Sequence, residues 1–412
     1  MKIRKKLATT LAVLMLLLSL ASCEDSKDQD IHDTTRDTTT DTDTVDTTPA
    51  AGTSDLSEST TVIDVDLPVT TSIKDLVKDP SGIAFKLTQE SVAKLKPALY
   101  KDFAACSNES VLIPGLNQYI VPQGMDYWDQ MGWLIISGYI SNNKYSNCSV
   151  LVAVDLESGI FMGEYFLKNQ DGSDHTSHVG GVAVTDKNIF ISNGGSLYRI
   201  PLSDLLAAEQ SGDLKIAETI KVVTNGSFCN YSQGVLWVGE FQYSTNYITD
   251  SSHHLKNRDG DQYKAWTAGY ILDPGTENEL KASAFVDGVA IPDYILSITE
   301  RIQGMTALSE NYIVLSQSYG RTNDSTLFFY NNPLSEPSHS SVNISGVSVP
   351  LWFLDNKTGV TKLTAPPMSE GVCAINGMLY TLFESGADYY RNGGGKNPTD
   401  RVWVTDVSKL IK

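Results

Sequence analysis

Five recurrences of one pattern predict an all-β chain folded as a β-propeller. In each, a Gly-led strand is followed by a near-continuous apolar strand and then a third, with turns rich in Gly, Asn, Asp and Ser between them. Near-continuous apolar strands suit sheets covered on both faces, and neighbouring blades provide that cover. Closely spaced turns without long helical stretches between the strands argue against a parallel α/β fold. The clearest unit is residues 176–200, TSHVGGVAVTDKNIFISNGGSLYRI.

Residues 1–22 read as a signal peptide. Lys2, Arg4, Lys5 and Lys6 make a basic start, and the apolar run over residues 11–20 is too short for a spanning helix. The sequence Leu20-Ala21-Ser22-Cys23 resembles the lipobox of bacterial lipoproteins. That resemblance implies cleavage before Cys23, acylation of Cys23 and anchoring to a membrane on the extracytoplasmic side of a bacterial cell envelope. Acyl chains partition by about 0.8 kcal/mol per buried methylene. An ordinary secretory signal with an incidental Cys would leave the protein soluble.

The formal charge of −18 becomes −22 once the four basic residues of the leader are gone, which argues against nucleic acid as a partner. Residues 23–61 are Asp, Thr and Ser with little that is apolar, as in DTTRDTTTDTDTVDTT. Such a segment buries too little surface to offset its ordering entropy, so a disordered stalk is expected.

Residues 62–120 form a lead-in region with a strand expected at 62–67. Val92, Leu95, Leu99 and Phe103 recur at three or four residues, an apolar stripe for a helix over residues 89–105 that Pro97 can kink or split.

The propeller is expected over residues 121–412. Its aligned glycines are Gly124, Gly181, Gly226, Gly304 and Gly371, at intervals of 57, 45, 78 and 67 residues. A minimal blade takes roughly 40 to 50 residues. The chain thus makes five blades with inserted loops, or six if the interval of 78 residues conceals another. The last unit has three strands, so a strand from the N-terminal side, at 110–113 or 83–87, is expected to complete it and remove its open edge.

Cys106, Cys148, Cys229 and Cys373 lack metal-ligand spacing. In an exported protein their even number permits one or two disulfides, although the apolar strands around Cys229 and Cys373 favour buried thiols.

Residues beside the aligned glycines are expected to ring the channel mouth: Gln123, Asn225, Gln303 and Glu370, with His178 just before the Gly180-Gly181 pair. Carboxamides, an imidazole and a carboxylate can orient a polar ligand or give oxygen ligands to a cation. Satisfying backbone groups where strands converge is their other use. Glu240 and Glu384 end second strands and are expected at the same mouth, with Asp126 on a neighbouring inner strand. A glycosidase would need two such carboxyls about 5 to 10 Å apart. Tyr243, Tyr247, Tyr263, Trp266, Tyr319, Tyr389 and Tyr390 offer stacking surfaces for sugars or peptides. His175 and His178 lack a third ligand for zinc, and the Asp/Asn-rich runs at 169–174 and 257–261 lack the full order of a calcium loop and read as hairpin turns.

Over residues 124–407 the architecture resembles the secreted propellers of the gluconolactonase and paraoxonase-like class, whose channel calcium is held by acidic and amide side chains. That resemblance implies a calcium-assisted hydrolase of lactones, esters or glycans with Glu370 as metal ligand. The pattern departs from it in offering one ring carboxylate, Glu370, where those enzymes bring several to the metal. The favoured expectation is therefore a ligand-binding or interaction module for a glycan, peptide or protein, with the hydrolase as its alternative.

Overall fold

The apolar second strands dictate the architecture, because alternate residues of each serve two different seams. The structure, a computed structural model, describes residues 88–92, 96–141, 148–208 and 211–411. These belong to the second of two units, Asp64–Lys412. The signal peptide expected at 1–22, Cys23, the Asp/Thr segment and the strands expected at 62–67 and 83–87 lie outside the described residues. Among the described residues no helix is long and apolar enough to cross a membrane.

Five antiparallel sheets form the blades. Their inner strands are Ile120–Trp128, Gly181–Val184, Phe228–Ser232, Ile302–Ala307 and Ser369–Ile375, each paired with a second strand by a tight connection. In blade 1, Ile135 faces the cluster shared with blade 2 (Val182, Ile191), while Ile136 faces the cluster shared with blade 5 (Leu382, Val402). In blade 3, Leu236 and Val238 pack towards blade 2 and Trp237 towards blade 4. Val314 of blade 4 packs towards blade 5 against Leu379 and Trp403. Every seam thus holds one hydrophobic cluster, and each fully buried aliphatic or aromatic side chain in it contributes about 1.5 to 3 kcal/mol.

The ring closes as the strand count requires. Ser107–Leu112 pairs antiparallel with Arg401–Thr405, so the last blade takes its fourth strand from the N-terminal side. Helix formation before it is shorter than the apolar stripe suggests: a 3-10 turn at Pro97–Leu99 and a helix at Lys101–Cys106. Proline has no N–H and its ring clashes with the preceding turn, so a helix begins after it. Phe103 is buried and Leu99 is exposed, which breaks the expected stripe.

The long intervals contain donated strands rather than a sixth blade. Ser211–Lys215 pairs parallel with the outer strand Phe161–Lys168 of blade 1, Val289–Ala290 with Glu218–Lys221 of blade 2, and Val347–Phe353 with Tyr294–Ile298 of blade 3. Each comes from the connection between the third and fourth strands of the following blade. A short helix, Leu202–Ala207, lies in the first of these connections.

Around the axis the inner strands approach closely enough to require glycine. A Cβ on Gly181 would lie 2.0 Å from the Cys229 backbone N, and one on Gly371 would lie 2.6 Å from that of Met125. Gly226 is different: it precedes its strand with φ of +62°, as a turn glycine. By register with the second strands, Phe228 stands where the other blades carry Gly124, Gly181 and Gly304. Its partner is Gly239, where a Cβ would lie 1.9 Å from the Phe228 ring, so the two residues exchange bulk.

A candidate ligand site at the channel mouth

An inner strand begins, and its antiparallel second strand ends, at the same mouth of the propeller. The polar residues just before the axis glycines therefore meet the residues that follow the second strands. Gln123 of blade 1 donates through Nε2 to Glu384 Oε2 at 2.8 Å and to the Pro122 carbonyl at 3.0 Å. Glu384 hydrogen-bonds Glu370 of the same blade, and Gln303 Nε2 of blade 4 donates to Glu370 Oε1 at 3.2 Å. The result is an amide–carboxyl–carboxyl–amide chain spanning three blades. Burial, and then the neighbouring Glu384 carboxyl, hold Glu370 well above the usual carboxylate range.

Four of the expected ring residues thus come together: Gln123, Gln303, Glu370 and Glu384. Asn225 does not occupy a ring position, because the register that puts Phe228 at the glycine level makes Ser227 the counterpart of Gln123 and Gln303. Both kinds of glycine precede an apolar run, and only the tertiary approach separates a turn glycine from an axis glycine. Asn225 donates its backbone N–H to Glu240 Oε1 and its Nδ2 to the Ile248 carbonyl. Glu240 is buried in a network of blade 3, where it meets His253 Nδ1 at 2.9 Å and accepts from Trp266 N at 3.0 Å, with the His253 ring stacked 3.8 Å from that of Trp266. His253 is therefore part of the core. His178 stays exposed and stacks on Tyr139 of blade 1 with ring centroids 4.8 Å apart.

Asp126 sits beyond the axis glycines, on the far side from Gln123, rather than at the same mouth as Glu384. Its carboxyl accepts from Tyr127 N, Val184 N, Tyr231 N and Asn230 Nδ2, which joins the inner strands of blades 1, 2 and 3. Burial raises its pKa to about 7, against the lowering by these donors. Cys229 and Cys373 lie near this level, and Cys106, Cys148, Cys229 and Cys373 are all buried thiols. Burial pushes the Cys229 thiol up to about 12.

Aromatic rings collar the mouth. Tyr243 and Tyr319 stack at 3.9 Å, Phe241 meets Tyr247 at 5.0 Å, and Arg301 lies 5.7 Å over the Tyr243 ring. Arg321 lies 5.0 Å from the Tyr389 ring and 5.1 Å from Tyr390, and its Nη1 donates to the Gly393 carbonyl, which fixes the glycine-rich loop. Tyr139 and Phe241 were not legible as rim residues in the sequence. Their signal is position alone: each lies two residues after the second-strand residue, Ser137 or Gly239, that pairs at the level of the axis glycines. Trp266 is buried and does not present a stacking face. The runs at 169–174 and 257–261 are hairpin turns, held by Asp171 accepting from Ser173 N and by Asn257 accepting from Asp259 N and Asp261 N.

The donor set does not fit calcium. Among the described residues no group of three or more His, Cys, Asp or Glu side chains is placed to hold a metal ion. The glutamines turn their N–H groups, not their oxygens, towards Glu370 and Glu384. The Glu370 and Glu384 carboxyls are also hydrogen-bonded to each other.

Fold and mouth together define a five-bladed β-propeller with a buried acid pair inside an aromatic collar. No protein-family model matches the chain, and the comparison with curated proteins finds none similar to it. Solved structures with a similar chain path include a glutaminyl cyclase of Myxococcus xanthus, at 10% identity over 73% of this chain and 93% of that one, with a TM-score of 0.36. BamB of Moraxella catarrhalis is 10% identical over 69% of this chain and 82% of its own, with a TM-score of 0.26. A glucose dehydrogenase is 9% identical over 69% and 83%, with a TM-score of 0.30.

Proposed function

We propose that the protein is a membrane-anchored, extracytoplasmic binding module of a bacterial cell envelope, taking a polar ligand at the propeller mouth. The ligand is a glycan chain or an extended peptide. The observation that carries this reading is the Gln123–Glu384–Glu370–Gln303 chain set inside the ring of Tyr139, Tyr243, Tyr319 and Tyr389. Buried polar groups at the bottom of an aromatic-lined concavity orient a ligand, and the rings supply contact area at low entropic cost. The anchor rests on the basic start, the apolar run and Leu20-Ala21-Ser22-Cys23. In this arrangement the Asp/Thr segment spaces the propeller from the lipid.

Screening the full chain against glycan and peptide arrays identifies the ligand. Glu384→Gln and Tyr319→Ala are each expected to weaken its binding at least about tenfold, equivalent to about 1.4 kcal/mol, without changing the fold. Full-strength binding by both variants would remove the ligand from the mouth. For the anchor, incorporation of labelled palmitate that persists in Cys23→Ser would place the lipid elsewhere.

A further inference from the structure

A second concavity lies between blades 3 and 4, away from the acid pair. It is a groove of about 770 Å³ running from the connections around Gln242 and Arg301 to the outer strands of blade 4. Two features set it apart from an ordinary seam. Gln242 is 4% exposed, yet its Oε1 is buried without a hydrogen-bond partner, and Arg301 Nε is likewise buried without one. These two atoms belong to residues tied together, since Arg301 N donates to the Gln242 carbonyl at 3.0 Å. The Arg301 carbonyl in turn accepts from Ser318 N at 3.0 Å, which holds Arg301 at a φ of +63°. A non-glycine residue in that region is strained and persists only where its surroundings impose it. The fold thus keeps an unmet acceptor and an unmet donor on two hydrogen-bonded residues that line the groove, and each is costly unless a ligand or water meets it.

The lining indicates the kind of ligand. Asp261, Glu300 and Asp355 are matched in number by Lys264, Arg301 and Lys362, so the walls carry no net charge. Phe328 and Tyr330 stack with centroids 6.2 Å apart, and the half-buried Phe328 gives the groove an aromatic face. A hydroxyl is both donor and acceptor, so a chain rich in hydroxyls can meet Gln242 Oε1 as donor and Arg301 Nε as acceptor. We infer that this groove is a second ligand site, specific for a neutral polyhydroxylated chain, a neutral oligosaccharide, held by Gln242 and Arg301 against the Phe328 ring. It shares Arg301, which lies over Tyr243, with the collar of the mouth, but none of the Gln123–Glu384–Glu370–Gln303 chain.

Calorimetric titration of the full chain with neutral gluco-, manno-, xylo- and chito-oligosaccharides, and with oligogalacturonate, tests this. The expected result is saturable binding of a neutral probe that Gln242→Leu and Phe328→Ala each weaken at least about tenfold. Thermal melts report whether the variants fold, and Phe328→Ala carries the test if Gln242→Leu does not. Absence of saturable binding across the neutral panel overturns the inference. So does stronger binding of oligogalacturonate than of every neutral probe, or binding that Glu384→Gln abolishes while Phe328→Ala leaves it intact. A crystal structure at saturating sugar with only water at Gln242 Oε1 and Arg301 Nε overturns it as well.

Discussion

Replacing Asp126 by Asn tests how the propeller axis is held together. The carboxyl accepts two hydrogen bonds on each oxygen: Tyr127 N at 2.9 Å and Asn230 Nδ2 at 3.3 Å on Oδ1, Val184 N at 2.8 Å and Tyr231 N at 3.2 Å on Oδ2. Burial nevertheless dominates, and its folded pKa is about 7 against an unperturbed 3.8. The folded state therefore binds more protons than the unfolded state between those values. The contribution of Asp126 to stability is fully present below the unfolded pKa and is lost as pH rises through the folded pKa. Between about pH 5.5 and about pH 8 the loss covers roughly 1.5 pH units at about 1.4 kcal/mol each, about 2 kcal/mol in all.

An amide at this position does not titrate, so the variant lacks that loss. Its NH2 fits better on the Oδ1 side, because Asn230 can turn its own amide and present Oδ1, which has no partner. Tyr127 N is then left without an acceptor, at a cost of about 1 to 3 kcal/mol. At about pH 5.5 Asp126→Asn is expected to be less stable than wild type by that amount, with the gap narrowing by about 2 kcal/mol at about pH 8. Urea unfolding followed by tryptophan fluorescence across this range measures both numbers. A stability difference that stays constant with pH would mean that the carboxyl is ionised throughout, and the reasoning from burial would fail.

Gly181→Ala places a methyl 2.0 Å from the backbone of Cys229, which cannot give way. It is expected to cost about 3 kcal/mol or more. Gly172→Ala, with nothing within 4 Å of its Cβ and φ of +87°, should lose only about 1 kcal/mol. Equal melting temperatures for the two variants would contradict the close axial approach. Deleting Ser107–Leu112 uncovers the edge of Arg401–Thr405 and opens the ring. Such a protein is expected to melt lower and to aggregate through that edge, and a melt indistinguishable from wild type would show that closure adds nothing.

By itself the sequence determined the repeat, because alternate apolar residues such as Ile135 and Ile136, or Leu236 and Trp237, must be buried on both faces of a strand. The three-stranded last unit likewise called for a strand from the N-terminal side, and Ser107–Leu112 provides it. Gln123, Gln303, Glu370 and Glu384 were legible as mouth residues because position relative to an axis glycine or a strand end is a local property. Only the tertiary structure decided the rest. Whether a glycine serves a turn, like Gly226, or an axial contact, like Gly181, depends on what approaches it from another blade. The exchange of bulk between Phe228 and Gly239 displaced the ring position from Asn225 to Ser227 for the same reason. Glu240 and Glu384 end equivalent strands, yet one meets His253 of an insertion and the other a carboxyl of its own blade. Such partners come from segments distant in the chain, and no local pattern encodes which of them will be within hydrogen-bonding distance.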